Sequence, residues 1–155
     1  RAAMVLYSFR LSSIYPARVK DDDLWQRLRR DLHAVARGEL EPQTLLAKRR
    51  NALVVRPADS GFDDPAVKVE QRTSEHHTIV DIHTKDEVGL LSKLTRAISS
   101  FGADIGYACI NTMGDVAVDV FYVNKAGVKL TDAEADALRL HVVGTLNLNP
   151  LIRSN

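Results

Sequence analysis

Cysteine is nearly missing from this chain: Cys109 is the single one in 155 residues. One cysteine excludes an intramolecular disulfide framework and suits a reducing compartment. Long apolar runs are missing too. None approaches the ~20 residues that span a bilayer, so no membrane partner is expected. The start, RAAMVLYSFRL, has no long apolar segment ahead of a cleavage site and does not read as a secretory leader. These features point to a cytoplasmic protein. An excess of one charge is also lacking: 21 Lys and Arg against 20 Asp and Glu leave a net charge of +1. That balance gives no electrostatic reason to expect nucleic acid. Catalytic signatures are lacking as well. There is no His-Asp dipeptide, and no Gly-Ser phosphate loop precedes Asp21, Asp22 and Asp23. No nucleophile–base–orienter set stands out, so neither a catalytic residue nor a cofactor is expected in this chain. At 45% hydrophobic, the chain has enough apolar residues for a core, in one domain or two small ones. It opens on Arg1, already inside a strand-like pattern, which suggests a piece of something longer.

The alternation MVLYSFRLSSIY over residues 4–15 predicts a strand that Pro16 ends. Residues 21–40 predict a helix, with aspartates in the first turn, where the helix dipole favours them. Leu24, Leu28, Leu32 and Val35 form an apolar stripe, and Gly38 stands where a C-terminal cap belongs. A shorter helix follows over 41–51, with Pro42 in its first turn. RPADSGFDDP, residues 56–65, is the clearest linker. Strands are then expected over 66–72 and 77–84. The second places Val80 and Ile82 on one face and His77, Ile79, Asp81 and His83 on the other. Leu90, Leu94, Ala97, Ile98 and Phe101 line a helix that stops at Gly102. DIGYACINT and VAVDVFYV form a hairpin around a tight MGD turn. Thr131 and Glu134 read as a capping box opening the last helix.

Two features organise these elements. Residues 7–11 and 119–123 look like copies, each followed by a polar connection and a helix. Leu24, Leu28 and Leu32 match Leu138, Val142 and Leu146 in spacing. The strand at 116–123 is apolar on both faces, with Ala117, Phe121 and Val123 opposite Val116, Val118, Val120 and Tyr122. Such a strand wants cover on both sides. From Thr78 the order is strand, helix, strand, strand, helix, a ferredoxin-like split βαβ short of its fourth strand. Residues 66–72 can supply that strand to this unit or to the preceding one. The expected fold is α+β, ferredoxin-like βαββαβ. Its parts are the C-terminal part of a first unit (1–51), a linker (52–65), a second unit (66–147) and a tail (148–155).

The stretch TIVDIHTKDEVGLLSKLTRAISSFGADIGYACINTMGDVAVDVFYV resembles an ACT domain. The likeness lies in an Asp-x-x-Gly-Leu-Leu turn, a helix ending in Phe-Gly, and a hairpin with Gly114 at its tip and Asp119-Val120-Phe121 on its second strand. With the preceding half-unit, the chain resembles the C-terminal tandem ACT region of bacterial bifunctional uridylyltransferase/uridylyl-removing enzymes. It departs at Val88, where that family commonly has proline. The resemblance implies a regulatory module that senses a small amino acid, glutamine above all. It also implies catalytic domains in the parent chain, the PII signal protein as the parent's substrate, and ACT–ACT pairing or a homo-oligomer. In the family the ligand lies between two such domains. It touches the turn of one, here Asp86, Val88, Gly89, Leu90 and Leu91, and the first hairpin strand of the other, here Ile105, Gly106 and Tyr107.

Residue chemistry alone leaves two readings of that turn. In one, Asp86 caps the helix and Gly89 only turns. In the other, the exposed N–H groups of the helix start receive a carboxylate, and Gly89 lets the main chain approach it. His77 and His83 share a strand face with Asp81 but lie ~20 Å apart along an extended strand, too far for one metal ion. Cys109 reads as a core or interface residue. A pairing module without ligand is the alternative function, motivated by the doubly apolar strand. An RNA-binding sheet is disfavoured, since only Tyr107, Phe121 and Tyr122 could stack bases and the charge is near neutral.

Overall fold

A computed structural model describes residues 21–52 and 65–147, and the chain divides into two compact units, Arg1–Lys48 and Arg49–Asn155. The expected strand at 4–15, the linker's turn residues from 56 to 64 and the tail at 148–155 lie outside the described residues. In the first unit, helix α1 (Asp22–Ala36) starts because the Asp21 carboxylate accepts the Leu24 N–H at 3.1 Å. It stops at Gly38, φ +70°, where Gly38 N–H donates to the Val35 carbonyl and Glu39 N–H to the Ala34 carbonyl, both at 2.9 Å. That pair of bonds is a Schellman closure. Helix α2 (Pro42–Ala52) follows, opened by proline, whose missing N–H costs nothing there. The apolar stripe of α1 forms as expected, yet Leu24, Leu28 and Leu32 are 39%, 38% and 52% exposed.

The second unit is built on one antiparallel sheet in the order β1-β2-β4-β3, from β1 (Ala66–Glu70), β2 (Thr78–Lys85), β3 (Asp104–Met113) and β4 (Val116–Asn124). β-branched residues suit β2, where Thr78, Val80, Ile82 and Thr84 face inward. Helix α3 (Leu90–Ser100) crosses from β2 to β3, and α4 (Asp132–Asn147) follows β4. This is the ferredoxin-like α+β arrangement. β1 pairs with β2, from Ala66 opposite His83 to Glu70 opposite Ile79, so it supplies the fourth strand to this unit. Polar bonds hold it there. Gln71 Nε2 donates to the Leu130 carbonyl, the buried Thr78 hydroxyl donates to Gln71 Oε1, and Lys129 Nζ reaches the carbonyls of Gln71 and Ser74. The segment leading into α4 is thereby tied to the β1–β2 connection.

The core lies between the sheet and both helices. Val80, Ile82, Phe121 and Val123 meet Leu94 and Ile98 of α3 and Leu138 and Val142 of α4, all without solvent exposure. Burying each large side chain contributes about 1.5–3 kcal/mol. α3 ends in the same closure as α1: Gly102, at φ +88°, donates to the Ser99 carbonyl and Ala103 N–H to the Ile98 carbonyl. α4 opens with a reciprocal capping box, Thr131 N–H to Glu134 Oε2 at 3.0 Å and Glu134 N–H to Thr131 Oγ1 at 3.3 Å. Along β4 the inner face holds Ala117, Phe121 and Val123, and also Asp119. The outer residues Val116, Val118, Val120 and Tyr122 are half-buried. Among the described residues β3 is an edge strand, exposed along most of its length.

Candidate functional site

The turn between β2 and α3 is fixed by its backbone. Asp86 N–H donates to the Asp115 carbonyl at 2.8 Å, which pins the turn to the tip of the β3–β4 hairpin. Leu90 N–H then donates to the Glu87 carbonyl at 3.0 Å, closing a four-residue turn whose third residue, Gly89, has φ +91° and ψ 4°. Those angles belong to a type II turn, which favours glycine at that place and proline just before it. Val88 occupies the proline position, so the turn keeps its geometry without proline's restraint. A Cβ on Gly89 would meet nothing within 4 Å. Glycine is therefore present for its positive φ, and the space beside it is open.

This geometry corrects one expectation. Asp86 does not cap α3. Gly89 occupies the N-cap position. The type II turn inserts residues 87–89 between the carboxylate and the helix start. The first helical bond runs from Lys93 N–H to the Gly89 carbonyl at 2.9 Å, and the earlier donors of a helix have no partner within it. Lys93 Nζ also lies 3.5 Å from Glu87 Oε1 and donates to the Leu146 carbonyl at 3.4 Å. One ammonium thus ties the turn to the end of α4.

The residues expected at the site fall into two groups. Asp86, Val88, Gly89, Leu90 and Leu91 are contiguous at the turn. There the Leu90 side chain is buried in the core, leaving only its backbone available, while Leu91 is 44% exposed. Ile105, Gly106 and Tyr107 lie at the far end of β3, opposite Val123 and Tyr122, with a bulge between Ile105 and Tyr107. Met113 at the hairpin is six positions on from Tyr107, or ~20 Å of strand. Within one unit the two groups are therefore apart. A Cβ at Gly106 would come 2.6 Å from His77 Nε2, so a side chain there would displace the imidazole from its present place. Tyr107 is 60% exposed and packs 5.5 Å from the Tyr122 ring, and its hydroxyl accepts from Cys109 Sγ at 3.4 Å. That thiol contact raises the phenol above the usual tyrosine range. His83 Nε2 stands 3.1 Å from Asp81 Oδ1, while His77 packs edge-on to Tyr122. Among the described residues no group of three or more His, Cys, Asp or Glu side chains could hold a metal ion. No helix among them is long and apolar enough to cross a membrane.

One residue near the turn escaped the sequence reading. Asp119 is 2% exposed on the inner face of β4, and its Oδ1 accepts the Asn111 N–H at 3.3 Å. Burial pushes its carboxyl above the ordinary 3.8; the Asn111 bond pulls the other way, and the Asp86 charge adds to the rise. A signal was present. In VAVDVFYV, Asp119 has the same parity as Ala117, Phe121 and Val123, so the strand period puts it on the buried face.

Comparison with known proteins gives a consistent picture. The family described as "ACR9-like, ACT-like domain" matches residues 66–151. A bifunctional uridylyltransferase/uridylyl-removing enzyme of Azospirillum brasilense is 35% identical over 101 residues, 64% of this chain and 11% of that protein. The enzyme of the same description from Gluconobacter oxydans is 42% identical over 69 residues, 44% of this chain and 7% of the relative. That of Streptomyces coelicolor is 35% identical over 112 residues, 70% of this chain and 13% of the relative. The chain therefore spans only a small part of the length of these relatives. No solved structure matches it.

Proposed function

The chain belongs to the ACT-like domain family, and from that premise we propose that its second unit is a regulatory module for a small amino acid, glutamine. The module controls the catalytic domains of a longer enzyme with uridylyltransferase and uridylyl-removing activities on the PII signal protein. The relatives' descriptions support the uridylyltransferase and uridylyl-removing part of that context. The observation that carries the reading is the turn itself: a glycine at φ +91° with open space around it, at the N-cap of a helix. Backbone donors aimed outward from a helix start suit a carboxylate, and the dipole adds to the attraction.

The separation of the two residue groups supports a site shared between two sheets. Among the described residues β3 is an edge strand without a second partner, carrying exposed Tyr107, Ile110 and Met113. Such an edge is a template for another strand. Antiparallel pairing of two β3 edges sets the Ile105–Tyr107 end of one strand near the hairpin end of the other. A ligand held there favours one relative orientation of the two units, and the catalytic domains read that orientation. Titration calorimetry of glutamine into the chain, with glutamate and asparagine as controls, tests the reading. Saturable heat with glutamine, lost in Gly89→Val, is the expected result, because valine at φ +91° breaks the turn. Absence of glutamine binding both in this chain and in the longer enzyme would sink it.

The exposed β3 edge also favours a second reading, a pairing module without ligand. Mass measured by light scattering separates the two: a dimer unaffected by glutamine and without glutamine heat supports pairing alone.

A further inference from the structure

The outer side of the second unit's sheet falls into two halves. On β4 and β3 it is apolar, from Val116, Val118, Val120 and Tyr122 to Tyr107 and Met113. On β2 and β1 it is charged: Asp81 and His83 stand two residues apart on β2, with Lys68 directly across from Asp81. A strand apolar on both sides wants cover on both, and α3 and α4 both pack on the inner side.

Asp81 shows what kind of cover is wanted. Its Oδ1 is shielded from solvent and accepts no hydrogen bond. His83 Nε2 approaches that oxygen to 3.1 Å, but the contact lacks the orientation of an N–H···O bond. Among the described residues Lys68 forms no ion pair with it either. A buried acceptor without a donor is destabilising. His83 is 44% exposed and so within reach of another molecule.

An acid and an imidazole two residues apart on one strand face complement their own copy. A two-fold axis crossing β2 between them, perpendicular to the strand, sets each Asp81 opposite the partner's His83. β2 and β4 pair in register, Asp81 with Val120 and His83 with Val118. The same axis therefore lays the apolar stripe of β4 on itself, with Val118 opposite the partner's Val120. The fixed charges of the face balance, Lys68 and Lys85 against Glu70 and Asp81, so two copies do not repel. Four strands ~4.8 Å apart and about eight residues long outline roughly 450 Å² before the relief of the side chains is counted. Stable pairs bury ~800 Å² per partner, so the contact has to engage the whole face, charged half included.

We propose that this outer face is a self-association surface: two copies of the chain pack sheet on sheet about that axis, and the partner's His83 donates to the buried Oδ1 of Asp81. This is a contact of faces rather than of β3 edges, and it does not depend on the effector reading.

Sedimentation equilibrium of the full chain is the test. Wild type sediments at no less than twice the 17.2 kDa of one chain, and a monomer at ~0.1 mM overturns the proposal. Asp81→His, which sets imidazole against imidazole, raises the dissociation constant at least ~tenfold. Adding His83→Asp to it restores the reciprocal pairs and the dimer; a folded double variant that stays monomeric overturns the proposal. A dimer that survives both Asp81→His and Val120→Lys uses another surface, the β3 edge included, and overturns it too. Should these variants lose their fold by circular dichroism, a mixture of isotope-labelled and unlabelled wild type decides. Magnetisation transfer between the methyls of Val118 and those of the partner's Val120 is expected, and its absence overturns the proposal.

Discussion

Helices α1 and α4 carry the same apolar spacing to opposite ends. Leu24, Leu28 and Leu32 recur every fourth residue in α1, as Leu138, Val142 and Leu146 do in α4. In α4 those three side chains are buried against the sheet, whereas in α1 they are between 38% and 52% exposed. Both helices are started by a capping side chain, Asp21 in one and Thr131 in the other. Periodicity and caps therefore specify a helix and its apolar face. Whether that face contributes to stability depends on the layer that closes over it.

The sharpest way to break this comparison is to truncate both stripes. Leu138→Ala is expected to cost about 2–5 kcal/mol in the denaturant unfolding of the second unit, because a cavity opens in a packed core. Leu28→Ala should cost no more than about 0.5–1 kcal/mol. Equal losses would show that α1 is covered as tightly as α4. A smaller difference is expected at the caps. Thr131→Ala should lower the stability of the second unit by about 1 kcal/mol, while Asp21→Ala reduces helicity by circular dichroism and leaves that transition in place.

The smallest effect is a pH dependence at the α4 cap. Bonding from the Thr131 N–H, then from Lys125 and the Thr131 hydroxyl, lowers the Glu134 carboxyl from 4.5 to about 2. A carboxyl lowered on folding contributes stability that is fully present above pH 4.5 and is lost as pH falls toward 2. Glu70, lowered by its bonds with Thr73 and Arg72, acts in the same direction. Asp119, raised by burial, acts oppositely: its share is present below pH 3.8 and is lost as pH rises through its folded value. Glu134→Gln should flatten the acid limb of a melting-temperature profile between pH 4.5 and 2. An unchanged slope would remove Glu134 from the cap's energetics.

Much of the fold was legible because its signals are local. Alternation marked β2 and β4, apolar residues on one side marked α3, and Gly102 and Gly114 marked their turns. The candidate site was legible only in part. The Asp-x-x-Gly-Leu-Leu pattern located the turn but left open whether Asp86 capped the helix, as carboxylates just before helices often do. The type II turn closed by Leu90 N–H and the Glu87 carbonyl moved the helix start past it. Asp119 was passed over because its apolar neighbours dominate the strand, although its parity already placed it inside.

The sequence by itself determined the elements, their order and which side of each is apolar, since these depend on neighbours within a few residues. Only the tertiary structure decided that β1 joins β2 of the second unit, that β3 is the edge strand among the described residues, and that Asp119 is buried next to it. Those outcomes rest on contacts between residues far apart in the chain. A strand's partner and a side chain's cover are settled when layers close on one another.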